Sequence, residues 1–143
     1  MSHFINPFTD YGFKKIFGQE VSKELLIDFL NSLLLGERVI KDLTFLNNER
    51  LPGDEDMRAI IYDVYCTTDS GEQIIVEMQN RTQSNFKERA LYYVARALSE
   101  QGQRGRGRQY SVKAVYGIFF MNFTFEGEEA KFRTDVILSD RDT

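Results

Sequence analysis

The spacing of apolar positions changes along the chain in a definite order. Over the first stretch, Phe13, Ile16 and Phe17 mark one side of a short helix, with Thr9 or Asp10 to cap it and Gly18 to close it. Over residues 20–35, Val21, Leu25, Leu26, Phe29, Leu30, Leu33 and Leu34 recur with a period of about 3.6, which predicts a longer helix stopped at Gly36 and packed on a sheet. Residues 39–46 predict a first strand, and residues 47–56 a polar loop around Pro52-Gly53. Residues 59–68 and 73–79 then read as two strands of a hairpin turning at Asp69-Ser70-Gly71. Ser84 or Asn85 can cap the next helix, with Glu88 placed for a capping box on Asn85. Its apolar face is Phe86, Ala90, Tyr93, Val94, Ala97 and Leu98, and Gly102 ends it. Residues 110–122 are the most apolar strand, expected in the sheet interior, and residues 131–138 predict a last strand. The order of elements is that of an α/β fold, a mixed sheet flanked by helices.

The hairpin carries the chemistry. Alternation puts Ile61, Asp63 and Tyr65 on one face of its first strand, and Tyr62, Val64 and Cys66 on the other. On the second strand it groups Ile75, Glu77 and Gln79 against Ile74, Val76 and Met78. A turn centred near Ser70 sets Asp63 opposite Glu77 or one step diagonal to it. Neighbouring carboxylates repel and destabilise a sheet unless a cation lies between them. Spacing alone leaves two readings open: a metal site, or two edge charges facing water. Both faces of the hairpin are largely apolar, so the sheet is covered on both sides and a lone buried carboxylate is costly. This favours the metal.

Length and charge add less. A chain of 143 residues is one domain, long enough to bury a core. One cysteine, Cys66, excludes an internal disulfide framework. Met1-Ser2-His3-Phe4 lacks the start of a signal peptide, and no apolar stretch reaches spanning length, so the expectation is a cytoplasmic protein with no membrane contact. The net charge is −4, yet from Gln79 to Lys113 eight basic residues face two acids, a local +6. Arg81, Lys87 and the Gly/Arg loop bearing Arg104, Arg106 and Arg108 are candidate phosphate contacts, although a solvated helix face and a surface loop would look the same. The acid run Asp54-Glu55-Asp56, Glu24 and the lone His3 are better read as exposed or incidental.

Asp63 followed by Glu77-Met78-Gln79 resembles the PD-(D/E)XK nuclease superfamily, with glutamine where most members carry lysine. Asp10-Tyr11-Gly12-Phe13-Lys14-Lys15-Ile16-Phe17-Gly18, Phe29-Leu30-Asn31, and Arg89 with Tyr92-Tyr93 resemble its transposase-like branch, the recombination-promoting nucleases. The resemblance runs from about Asn6 to the end. It departs at Tyr62, which stands where the family name has proline. It implies a restriction-endonuclease-like core over residues 1–143, as the N-terminal part of a longer protein. It also implies a DNA endonuclease using Mg2+ or Mn2+, held by Asp63, Glu77 and the Met78 backbone carbonyl. Gln79 has no charge and no usable pKa, so Lys14 or Arg89 is expected to supply the missing cation. The competing expectation is a nuclease fold kept for binding DNA or protein with its chemistry lost. A homo-oligomer is compatible with either.

Overall fold

The computed structural model describes residues 4, 6, 9–50, 59–79, 84–102, 111–124, 127 and 131–138. Helix α1 (Asp10–Phe17) begins at Thr9, whose hydroxyl accepts the Gly12 N–H at 2.9 Å, and ends at Gly18. Gly12 lies against the turn that precedes the helix. A Cβ there would stand 1.9 Å from the Asn6 carbonyl oxygen, so only glycine fits. A 3-10 turn (Glu20–Ser22) leads into α2 (Lys23–Leu33). The strands are β1 (Leu43–Phe45), β2 (Glu49–Arg50), β3 (Ile60–Ile61), β4 (Val64–Thr68), β5 (Gln73–Gln79) and β6 (Val115–Met121), with α3 (Phe86–Gly102) between the last two.

The main sheet has the order β1-β4-β5-β6. β1, β4 and β5 are antiparallel, and β6 runs parallel to β5 after the α3 crossover. β2 and β3 form a separate two-stranded ribbon. One face of the sheet presents Val64, Cys66, Ile74 and Val76 to Phe13 of α1 and to Leu26 and Leu30 of α2. There Phe13, Phe17, Phe29 and Phe120 close a ring of aromatic contacts with centroids 5.0 to 6.1 Å apart. The other face presents Tyr65 and Ile75 to Tyr93 and Ala97 of α3. Two side-chain amides bind the layers together by acting as strand partners. Asn31 of α2 takes both backbone groups of Ile40, at 2.7 and 2.9 Å, and Gln101 of α3 does the same for Lys113, at 2.7 and 3.1 Å. Burial lifts the Cys66 thiol to about 12, so it is an inert core residue. Among the described residues no helix is long and apolar enough to cross a membrane.

Several expectations are corrected. The second helix is shorter than 20–35, and its buried stripe narrows to Leu26, Leu30 and Leu34, while Val21 and Leu25 are exposed. Outside that stripe Phe29 packs on the Phe17 and Phe120 rings instead. The strand expected over 39–46 is limited to β1, and the polar loop after it holds β2. The run 59–68 is not one strand but β3 and β4 separated by Tyr62 and Asp63. Because the chain bends there, Tyr62 joins Tyr65 on the α3 face instead of alternating with it. β6 is an edge strand among the described residues, not an interior one. Its apolar density reflects covering on both faces: Ile118 and Phe120 pack with the α1–α2 core, and Phe119 meets Phe86 edge-on at 5.8 Å. Residues 131–138 form no strand, and Phe132, Val136, Ile137 and Leu138 stay exposed. A strand pattern does not supply a ladder partner. Arg133 instead donates to the Leu33 carbonyl at 3.0 Å.

Helix α3 sits close to β6 because Gly117 has no side chain. A Cβ there would lie 2.6 Å from Val94 Cγ2 and 2.7 Å from the Phe119 ring. Valine is stiff about χ1 and cannot swing away freely. Gly117→Ala is expected to lower unfolding stability by about 1–3 kcal/mol in a denaturant titration, with the native fold retained.

Candidate active site

The β4–β5 hairpin pairs Cys66 with Ile74 and Val64 with Val76. Continued by one repeat, the ladder would join Tyr62 to Met78. It does not. The Tyr62 N–H is taken by the Asn48 carbonyl at 2.9 Å, and the Asn48 side-chain amide donates to the Asp63 carbonyl at 3.2 Å. The chain therefore leaves the ladder at Tyr62-Asp63, and side chains satisfy the amides that lose backbone partners. Asp63 Oδ2 accepts the Met78 N–H at 2.8 Å, and Glu77 Oε1 accepts the Asp63 N–H at 3.1 Å. These two bonds fix both carboxylates side by side at the open end of the hairpin. They also place the Met78 backbone, relieved of Tyr62, beside Asp63. Gln79, two residues beyond Glu77, is half-buried, and its carbonyl accepts the Asn122 N–H at 3.0 Å.

The surroundings are asymmetric. On the α1 side Lys14 Nζ stands 3.9 Å from Asp63 Oδ1. This is a partly exposed pair worth at most ~1 kcal/mol to stability, so its interest is the charge it brings to the site. Lys14, Lys15, Tyr11, Asn48 and Asp63 line an open depression of 380 Å3. On the α3 side Arg89 donates to the Tyr93 hydroxyl at 3.2 Å, with its guanidinium 5.1 Å from the Tyr93 ring centroid, and its charge also favours ionised Glu77. Lys87 is exposed in the first turn of α3. Arg81, Arg104, Arg106 and Arg108 lie outside the described residues, as do Asp54, Glu55, Asp56 and His3. Glu24 is exposed on α2. Asn48 was not among the expected residues. It sits in a polar run, Asn47-Asn48-Glu49, without periodicity, and nothing local marks it.

Glu77 is only 5% exposed, and its acidity shows it. Burial raises its pKa to about 8, and the neighbouring Asp63 charge and a carboxyl–carboxylate hydrogen bond add to the rise. Among the described residues no three His, Cys, Asp or Glu side chains gather as a metal cluster. The groups that could hold a cation here are the Asp63 and Glu77 carboxylates, with the Met78 backbone carbonyl as the expected third. All are oxygens, which suits a hard cation that keeps several waters.

A mixed sheet between helices, with an acid pair at the broken end of its hairpin, defines a restriction-endonuclease-like α/β core. The family model described as PD-(D/E)XK nuclease family transposase matches residues 7–143, and the chain belongs to that family. No curated protein and no solved structure matches. Membership supports a nuclease-type function.

The Glu77 shift fixes a pH dependence. The folded chain favours the protonated acid, so this group's stabilisation is complete below its ordinary value of 4.5 and is lost as pH rises through about 8. In the presence of chelator, thermal melts of the parent are expected to fall across that window. Glu77→Gln keeps the acceptor for the Asp63 N–H and adds a neutral donor, so its melts should be flatter there. An equal slope in both proteins would contradict the assignment.

Proposed function

We propose that this chain is a divalent-metal-dependent endonuclease that hydrolyses phosphodiester bonds of DNA in the cytoplasm, in the setting of recombination or transposition. The observation that carries the reading is the break in the hairpin ladder. It brings the Asp63 and Glu77 carboxylates together beside the Met78 N–H, and buries Glu77 next to another acid. Asp63, Glu77 and the Met78 carbonyl would hold Mg2+ or Mn2+. When bound, such an ion lowers the pKa of a water and neutralises charge developing on the phosphate.

The remaining roles fall to side chains around this set. Lys14 faces the depression beside Asp63, and its ammonium is placed to stabilise negative charge on a phosphate oxygen. Arg89 acts from the opposite side, holding Glu77 toward its ionised form. Gln79 orients a water through its amide oxygen or donates to a phosphate oxygen, but it cannot remove a proton. Lys87 and the loop arginines add attraction for the backbone.

Gln79 also motivates a second reading, a nuclease fold that binds DNA or protein without cutting it. Plasmid nicking in Mg2+ or Mn2+ separates the two. The parent is expected to nick, and Asp63→Ala and Glu77→Ala to abolish nicking while keeping the circular dichroism of the fold. Absence of nicking by the parent with either ion, with DNA binding intact, would favour the binding module. A carboxylate variant that cuts as well as the parent would remove the assignment altogether.

The cation roles are tested separately. Lys14→Ala should slow cleavage by about 10²-fold, the usual cost of removing one charge-stabilising donor. The readout is single-turnover rate at saturating metal. A rate equal to the parent's would transfer the role to Arg89.

A further inference from the structure

One face of α1 is unexplained by packing, and of its residues only Lys14 is engaged by the acid pair. Tyr11, Lys14 and Lys15 fall at i, i+3 and i+4, so they form one row along the helix. The opposite side carries Phe13 and Phe17 into the aromatic core. Tyr11 is 71% exposed, although a large ring gains from burial. Its row lines the same depression as Asp63 and Asn48.

We infer that this face of α1 is a binding subsite for an unpaired DNA strand, in which the Tyr11 ring stacks on one base and Lys15 contacts the adjoining phosphate. The inference rests on the nuclease reading for the identity of the ligand, but not on cleavage. An exposed aromatic beside cations is the arrangement that binds single strands without reading sequence. A ring on a helix surface stacks only on a base that has a free face, and bases inside a duplex do not offer one. The open depression, 380 Å3 in volume, is shared by Tyr11, Lys14, Lys15 and Asp63. A strand lying in it would carry its next phosphate past Lys14 toward Asp63. The subsite therefore selects flaps, frayed ends or melted junctions over intact duplex.

The test is binding without cleavage. Fluorescence anisotropy in EDTA would compare a labelled single-stranded oligodeoxythymidine with a hairpin duplex of equal length. Tyr11→Ala is expected to weaken single-strand binding roughly tenfold or more, with Tyr11→Phe staying within about twofold because the ring remains. Lys15→Ala should reduce the single-strand salt slope by roughly 0.7. Duplex binding should change little in Tyr11→Ala. Failure of the parent to bind the single strand, unchanged affinity in Tyr11→Ala, or an equal loss on duplex would overturn the subsite. Plasmid nicking measured in parallel keeps the two claims apart. A parent that nicks while Tyr11→Ala binds normally loses the subsite and keeps the nuclease. A parent that does not nick, yet shows the Tyr11 pattern, keeps the subsite and loses the nuclease.

Discussion

Every backbone N–H buried in a sheet must find an acceptor, and at the end of the β4–β5 hairpin that requirement is met by carboxylates. Asp63 accepts the Met78 amide and Glu77 accepts the Asp63 amide, at 2.8 and 3.1 Å. The same two bonds that close the ladder hold two like charges together. Neither carboxylate can rotate away without orphaning an amide, which costs about 1–3 kcal/mol. Burial first, and the Asp63 charge second, instead favour the protonated form of Glu77, whose pKa rises to about 8. Asn48 sets the geometry upstream. By taking the Tyr62 N–H and holding the Asp63 carbonyl, it turns the chain out of the ladder one residue before the acid.

The rest of the fold keeps this end of the hairpin between two layers. The phenylalanine ring joins α1 and α2 to β6, and so fixes α1 over the sheet with Lys14 toward Asp63. On the other face Tyr62 packs on Tyr65 at 4.8 Å, and its hydroxyl donates to the Tyr93 carbonyl at 3.1 Å, which ties the bend in the chain to α3. The bend is thus anchored from the helix that also carries Arg89. Sequence-distant cations arrive on opposite sides of the acids because the sheet is covered twice.

Much of this arrangement is legible in the chain. Turn residues at Asp69-Ser70-Gly71 and the alternation of β5 fix the hairpin register as far as Val64 and Val76, which brings Asp63 and Glu77, the next residues, near each other. Thr9 and Gly18 bound α1 where capping rules place them. What is not legible depends on partners far along the chain. The bend at Tyr62 exists because Asn48 competes for an amide, and a period-two pattern cannot register a competitor fourteen residues earlier. The pattern likewise overstates β6 as interior and 131–138 as a strand. Apolar alternation reports that faces are covered or apolar, not that an edge is paired.

Gln79 bears on where positive charge must come from. In a β-strand the triplet's last residue sits on the same side as Glu77, so a lysine there would bring its charge to the acids from within the sheet. A neutral amide leaves that position able to orient but not to compensate charge. Lys14 reaches the acids from α1 instead, at 3.9 Å from Asp63, and is partly solvated. Its charge therefore depends on α1 staying docked through Phe13 and Phe17, and on Gly12 admitting the turn before it. A cation carried on the strand would be as rigid as the hairpin. One carried on an eight-residue helix keeps its place beside Asp63 only as long as that helix stays packed.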